Sequence, residues 1–80
     1  MTFLMSQDGR TLLNLKRVRQ IDIVETSIMV WTDYGTEVKI AQYGSDTTAE
    51  KAMLDLTKDI YQGHMLVFLM PEEGWNGALY

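Results

Sequence analysis

The side chains best suited to chemistry in this sequence are one histidine and a few dispersed carboxylates. His64 is the only histidine, and an imidazole that titrates near neutral pH would suit a general base or a metal ligand. The chain has no cysteine, so a metal site would depend on carboxylates beside this one imidazole. We therefore interpret His64 as a polar residue at a strand end, and we expect no enzyme activity, no catalytic residue, no metal and no cofactor.

Four basic residues fall within one short segment, although the net charge of the chain is -4. They are Arg10, Lys16, Arg17 and Arg19. Lysine and arginine can follow a phosphate backbone, while Trp31, Tyr34 or Tyr43 could stack on bases. The segment is a candidate nucleic-acid site. An equal interpretation is that it meets the acidic helix face of the same or a neighbouring molecule.

The remaining polar clusters have structural explanations. Asp33-Tyr34-Gly35 carries the residues that a three-residue turn requires, with glycine in the left-handed region. Residues 44–48 precede a helix but lack the phosphate-loop pattern, and the nearby Asp46 and Glu50 would repel an anion. The spacing of the other carboxylates defines no acid–base pair.

The size of the chain limits how it can be stabilised. It has 80 residues, 46% of them hydrophobic, and one proline, which is typical of one small globular domain. We expect this domain over residues 1–71 and an irregular tail over residues 72–80. The longest apolar run has 6 residues, from Met65 to Met70, whereas a spanning helix needs about 20. We therefore expect a cytoplasmic protein with no membrane contact.

The first predicted element is a β-hairpin around Asp8-Gly9, a dipeptide that favours a type I′ turn. A two-residue loop there pairs Met5 with Leu12 and Leu4 with Leu13. Because side chains alternate along a strand, both faces of this hairpin are apolar.

Two further strands, Gln20–Val24 and Ile28–Thr32, are predicted to join near Thr26-Ser27, and a third follows the Asp33-Tyr34-Gly35 turn. This turn pairs Val30 with Val38 and Ile28 with Ile40; a two-residue loop would invert that face. The preferred register collects the apolar β-branched side chains on one face: Ile21, Ile23, Ile28, Val30, Val38 and Ile40.

A helix is predicted over about residues 47–62, with a capping box from Thr47 to Glu50 and a stop at Gly63. Its buried stripe comprises Ala49, Ala52, Met53, Leu56 and Ile60. The opposite, polar side includes Asp59. The run from Met65 to Met70 is then predicted to be a strand buried on both sides and ended by Pro71.

These elements predict an α+β fold: an antiparallel sheet or partly closed barrel of five or six short strands with one packed helix. The motifs follow in the order Phe3-Leu4-Met5-Ser6-Gln7-Asp8-Gly9, then Asn14-Leu15-x-x-Val18-x-x-Ile21, then short strands and a Thr-x-x-Glu-capped helix. This order resembles that of small uncharacterised proteins of low-GC Gram-positive bacteria and their prophages. The resemblance covers most of residues 1–70. It implies a bacterial cytoplasmic protein and assigns no activity.

One helix is too few to cover strands that are apolar on both faces. Closure of a barrel, a strand or tail over the open face, or a second copy of the chain would supply the cover. We favour self-association, so the sequence predicts a non-enzymatic binding or assembly module that forms a homodimer, with a nucleic-acid binder as the alternative. The expected interface consists of Val24, Met29, Trp31, Leu66 and Phe68.

Overall fold

A computed structural model describes residues 2–63 and 66–72 of the chain, and this part has an α+β fold. Six strands and one helix lie within the described residues. They are β1 (Phe3–Met5), β2 (Leu12–Asn14), β3 (Val18–Val24), β4 (Ser27–Thr32), β5 (Glu37–Gln42), α1 (Asp46–Gln62) and β6 (Val67–Leu69), with a 3₁₀ turn (Leu15–Arg17) between β2 and β3.

The strands form two three-stranded sheets, so the expectation of one antiparallel sheet or a partly closed barrel is wrong. The small sheet has the order β2-β1-β6 and the large sheet has the order β3-β4-β5. All neighbours are antiparallel except β1 and β6, which are parallel. The sheet divides because β1 takes β6, from the far end of the chain, as its second partner.

The first hairpin has the predicted register but a different turn. Met5 pairs with Leu12 and Leu4 with Leu13, which confirms the alternation of side chains. Only Gly9 has a positive φ in this turn, at 74°, so it is not type I′. The Ser6 carbonyl accepts a hydrogen bond from the Gly9 amide at 2.9 Å instead.

The large sheet confirms the expected core face with one local change. Val30 pairs with Val38, as predicted, but Ile28 lies opposite Ala41 rather than Ile40. A β-bulge at this point makes Ile40 the extra residue, and both Ile40 and Ala41 are buried. The three-residue turn before β5 is confirmed, with Gly35 at a φ of 81°.

The connection between β3 and β4 consists of Glu25 and Thr26, because Val24 pairs directly with Ser27. Glu25 has a φ of 59°, in the left-handed region. A hairpin turn of two residues favours such a backbone even where no glycine is available. The expected join near Thr26-Ser27 is therefore displaced by one residue.

The helix starts earlier than its sequence pattern suggests. Ser45 is the N-cap, and its hydroxyl accepts a hydrogen bond from the Thr48 amide, so the capping box at Thr47 is wrong. Gly63 ends the helix in the left-handed region, as predicted. The helix packs on the Ile28 and Val30 face of the large sheet.

The buried stripe of α1 also differs from the prediction near its end. Ala49, Ala52 and Leu56 are fully buried, but Ile60 is 41% exposed and Asp59 is buried in its place. The helix crosses the sheet at an angle that turns the Asp59 side of its last turn, and not the Ile60 side, toward the core. Its expected position on the solvent side is therefore wrong.

Strand β6 is an edge strand and is not buried on both sides as predicted. Phe68 faces the core, whereas Leu69, the next residue, is 53% exposed. The strand covers Val67–Leu69 only. His64, Met65 and residues 73–80 lie outside the described residues, and so do the predictions made for them.

Candidate interaction surfaces

The outward face of the small sheet is apolar. Alternation places Phe3 and Met5 on the side opposite the fully buried Leu4. Their partners on β2 and β6 share that side, so Leu12, Met5 and Leu69 form one row across the sheet. We call the apolar set on this side the small outer face: Phe3, Met5, Leu12, Val67 and Leu69.

This face exposes large aliphatic side chains. Leu12 is 52% and Leu69 is 53% exposed, at its two edges. Leu66, which directly precedes β6, is 67% exposed, and its carbonyl accepts hydrogen bonds from the Thr2 and Phe3 amides. Leu66 is thus a further exposed leucine beside β6, although alternation would put it on the side of Phe68 and not on that of Val67 and Leu69. Asn14 is the only polar side chain in the two rows, and neither row carries a charge.

Phe68 was expected at an interface, but it lies in the core. Its side chain is 5% exposed and belongs to the same cluster as Leu4 and Met70. The parallel pairing of β6 with β1 turns Phe68 to the side of Leu4, since the two residues are partners. Phe68 therefore cannot contact a partner molecule in this fold.

The outer face of the large sheet carries the other expected interface residues among polar neighbours. Trp31 lies between Gln20 and Glu37, and Met29 lies between Asp22 and Lys39. Trp31 and Met29 are partly exposed. Val24, in the next row, is exposed as well. Polar side chains therefore flank each central apolar side chain, as on the solvated face of an ordinary antiparallel sheet.

The four basic residues do not form one surface. Arg10 lies in the turn before β2, whereas Lys16 and Arg17 follow the end of β2, so the length of this strand, about 10 Å, separates them. Arg19 lies further along, in β3. The structure brings together only part of the predicted basic set.

Arg17 is already engaged within the molecule. Its Nη1 lies 3.3 Å from Asp33 Oδ2 and donates to the Tyr34 hydroxyl, also at 3.3 Å. The guanidinium also lies over the Tyr34 ring, 5.7 Å from its centroid. Tyr43, another expected stacking residue, is buried. These contacts reduce what the basic segment and its aromatic neighbours can offer to a nucleic acid.

A groove separates β3 from α1. Its volume is about 380 Å³, and its floor and walls are largely aliphatic. Val18, Arg19, Gln20 and Ile21 line it from β3, and helix residues that include Ile60 line it from the other side. Sequence reasoning did not find this groove, because nothing local shows that β3 is an edge strand.

Two carboxylates have unusual surroundings. A hydrogen bond from the Ser6 hydroxyl, at 2.6 Å, and one from the Arg10 amide hold the pKa of Asp8 below its ordinary value of 3.8. The Oδ2 atom of Asp59 is buried and has no hydrogen-bond partner among the residues that the structure describes. Over residues 2–63 and 66–72, no three histidine or acidic side chains gather closely enough to hold a metal ion.

Comparisons with protein-family models, with curated proteins and with solved structures found no match to this chain. In the described part of the chain, the helix is too short and too polar to cross a membrane.

Proposed function

We propose that the protein is a non-enzymatic assembly module that forms a homodimer through the small outer face. The observation that carries this proposal is the row of Leu12, Met5 and Leu69, which spans all three strands without a polar interruption. Contiguous apolar patches of this kind on a folded surface commonly mark an interface.

A second copy of the chain suits this surface better than a charged partner does. The face is uncharged, whereas the whole chain has a net charge of -4, so two copies approach with least repulsion where charge is absent. A two-fold axis between the two sheets, in the plane of the interface, would place the same side chains on both sides of the interface, with row against row.

The size of the face sets the expected affinity. Three strands of three residues cover about 10 by 14 Å, so the face is smaller than the roughly 800 Å² per partner of a standard interface. We therefore expect a weak dimer, with a Kd of about 10 μM or higher.

The test is sedimentation velocity of wild type and Leu69→Glu from about 10 μM to about 1 mM, which spans the affinity range of a weak interface. The wild-type average mass should rise with concentration. Leu69→Glu should remain monomeric, because dimerisation would bury its charge. Leu54→Glu is the matched control: Leu54 is 56% exposed on α1, and this variant should behave as wild type.

A wild-type chain that stays monomeric up to about 1 mM would overturn the proposal. Trp31→Glu separates the two candidate faces. If Trp31→Glu abolishes association and Leu69→Glu does not, the dimer forms through the outer face of the large sheet, and the small outer face is not the interface.

A further inference from the structure

Strand β3 presents an unpaired backbone edge. It stands at the end of the large sheet and pairs only with β4. The Thr32 amide donates to the Thr36 carbonyl on the β5 side of β4. By alternation, Met29 and Trp31 direct their backbone groups to β3 and bond Asp22 and Gln20, their partners.

The backbone groups of Ile21 and Ile23 therefore point away from β4. Within residues 2–63 and 66–72, no residue bonds these amides or carbonyls. Free edges on natural sheets are usually shortened or covered. This edge has one protective feature, the bulge between Val18 and Gln20, which leaves the following residues open.

The groove between β3 and α1 runs along the first half of this edge. Four consecutive residues, Val18 to Ile21, line it. Ile21 packs against the core, whereas Gln20 is the partner of Trp31 on the outer face, so an opening lined by both residues lies beside the strand and not on one face. Helix α1 forms the opposite wall through Met53 and Ile60, among others.

The charge of the groove selects a kind of occupant. Among the described residues, Arg19 is the only ionisable side chain that lines the groove, and none of the carboxylates does, although acidic residues outnumber basic ones in the chain. Arg19 makes no ion pair with a described residue. An anionic group at this end of the groove would therefore meet an unpaired cation.

We propose that this groove binds an extended peptide, which adds to β3 as an antiparallel strand. The Ile21 and Ile23 backbone groups would bond its main chain, and alternate apolar side chains of the peptide would contact α1. An antiparallel peptide ends where β3 begins, so its C-terminal carboxylate lies beside Arg19.

The probe is a synthetic peptide with the sequence Thr-Val-Thr-Val-Thr-Val, labelled at its N-terminus, with either a free carboxylate or a C-terminal amide. Fluorescence anisotropy with wild-type protein should show tighter binding of the carboxylate form, by about tenfold, which is typical of one charge-assisted contact. Arg19→Gln should remove that preference and leave binding of the amide form unchanged.

Ile60→Lys and Thr57→Lys each place a charge in the groove from an exposed helix position and should weaken binding of the amide form, which has no carboxylate to offset the charge, by at least about tenfold. Leu54→Lys, at an exposed position of α1 that does not line the groove, is the control and should have no effect. In backbone NMR spectra, the amides of Ile21 and Ile23 should show the largest shifts.

Absence of binding of both peptides at about 1 mM would overturn the proposal, since β-strand addition at an open edge is sequence-tolerant. Shifts centred on the small outer face, or binding unaffected by both groove variants, would also overturn it. Equal affinity for the carboxylate and amide forms would refute the role of Arg19. The readout is independent of dimerisation, so either proposal can fail without the other.

Discussion

Asp8 shows how one turn changes the acidity of a side chain. Its Oδ1 accepts a hydrogen bond from the Ser6 hydroxyl and another from the Arg10 amide, and both bonds favour the ionised form. The pKa of Asp8 in the folded chain therefore lies below 3.8. The Ser6 hydroxyl also accepts a hydrogen bond from the Thr11 amide. Together, these three bonds hold the β1–β2 turn closed.

This geometry predicts a pH effect. A carboxyl whose pKa is lower in the folded state stabilises the fold above its unfolded value, and that stabilisation is lost as the pH falls through the folded pKa. For Asp8 the loss begins below a pH of 3.8. Asp8→Asn should therefore make stability less dependent on pH in this acidic range, as measured by urea unfolding.

Ser6→Ala is the second variant, because it removes the donor while keeping the carboxyl. It should raise the pKa of Asp8 and flatten the same part of the pH profile. If the pH profile below 3.8 is as steep in Asp8→Asn as in wild type, other carboxyls produce it.

At the scale of elements, the start of α1 gives a direct comparison between two capping residues. The Ser45 hydroxyl accepts from the Thr48 amide at 3.2 Å, which satisfies one of the free amides at the helix start. Thr47, which the sequence pattern favoured, lies inside the helix and is exposed.

We expect Ser45→Ala to lower the free energy of unfolding by about 1 kcal/mol, because it removes the cap. Thr47→Ala should change stability by less than about 0.5 kcal/mol, or raise it, since alanine favours a helix interior. Urea unfolding monitored by circular dichroism measures both. The opposite order of effects would place the cap at Thr47.

The β-bulge in β5 is the second feature at this scale. It allows Ile40 and Ala41, which are adjacent in sequence, both to be buried, although an uninterrupted strand would expose one of them. The core thus gains an additional side chain beside α1. Register alternation alone could not indicate this, because it assumes an unbroken pairing.

At the scale of the whole molecule, Gln7 connects parts that are distant in sequence. Its backbone amide donates to the Ile40 carbonyl at 2.7 Å. In its side chain, Oε1 accepts from the Gln42 backbone amide and Nε2 donates to the Pro71 carbonyl. The Tyr43 hydroxyl donates to that same carbonyl at 2.7 Å. One side chain thereby holds the small sheet, the edge of β5 and the end of β6 together.

Gln7→Ala should lower the free energy of unfolding by about 1 to 3 kcal/mol, because it removes two side-chain hydrogen bonds that are worth roughly 0.5 to 1.5 kcal/mol each. Gln20→Ala, which removes an exposed bond to Asp22, is the control and should cost less than about 0.5 kcal/mol. Equal effects in urea unfolding would show that Gln7 is an ordinary surface residue.

Features that depend on neighbouring residues can be predicted from the sequence. The glycine turn at Gly35, the helix stop at Gly63 and the pairing of Met5 with Leu12 follow from backbone preferences and alternation, which are local. The two-sided apolar character of the first hairpin is also visible in this way, although the predicted interface comprises Val24, Met29, Trp31, Leu66 and Phe68 and no residue of that hairpin.

Which strands pair with one another depends on contacts between distant parts of the chain. The parallel pairing of β6 with β1 buries Phe68 and exposes Leu69, and the end position of β3 opens the groove beside Arg19. The burial of Asp59 depends in the same way on how α1 crosses the large sheet. These outcomes rest on contacts between residues far apart in the chain, whose energies no local pattern contains.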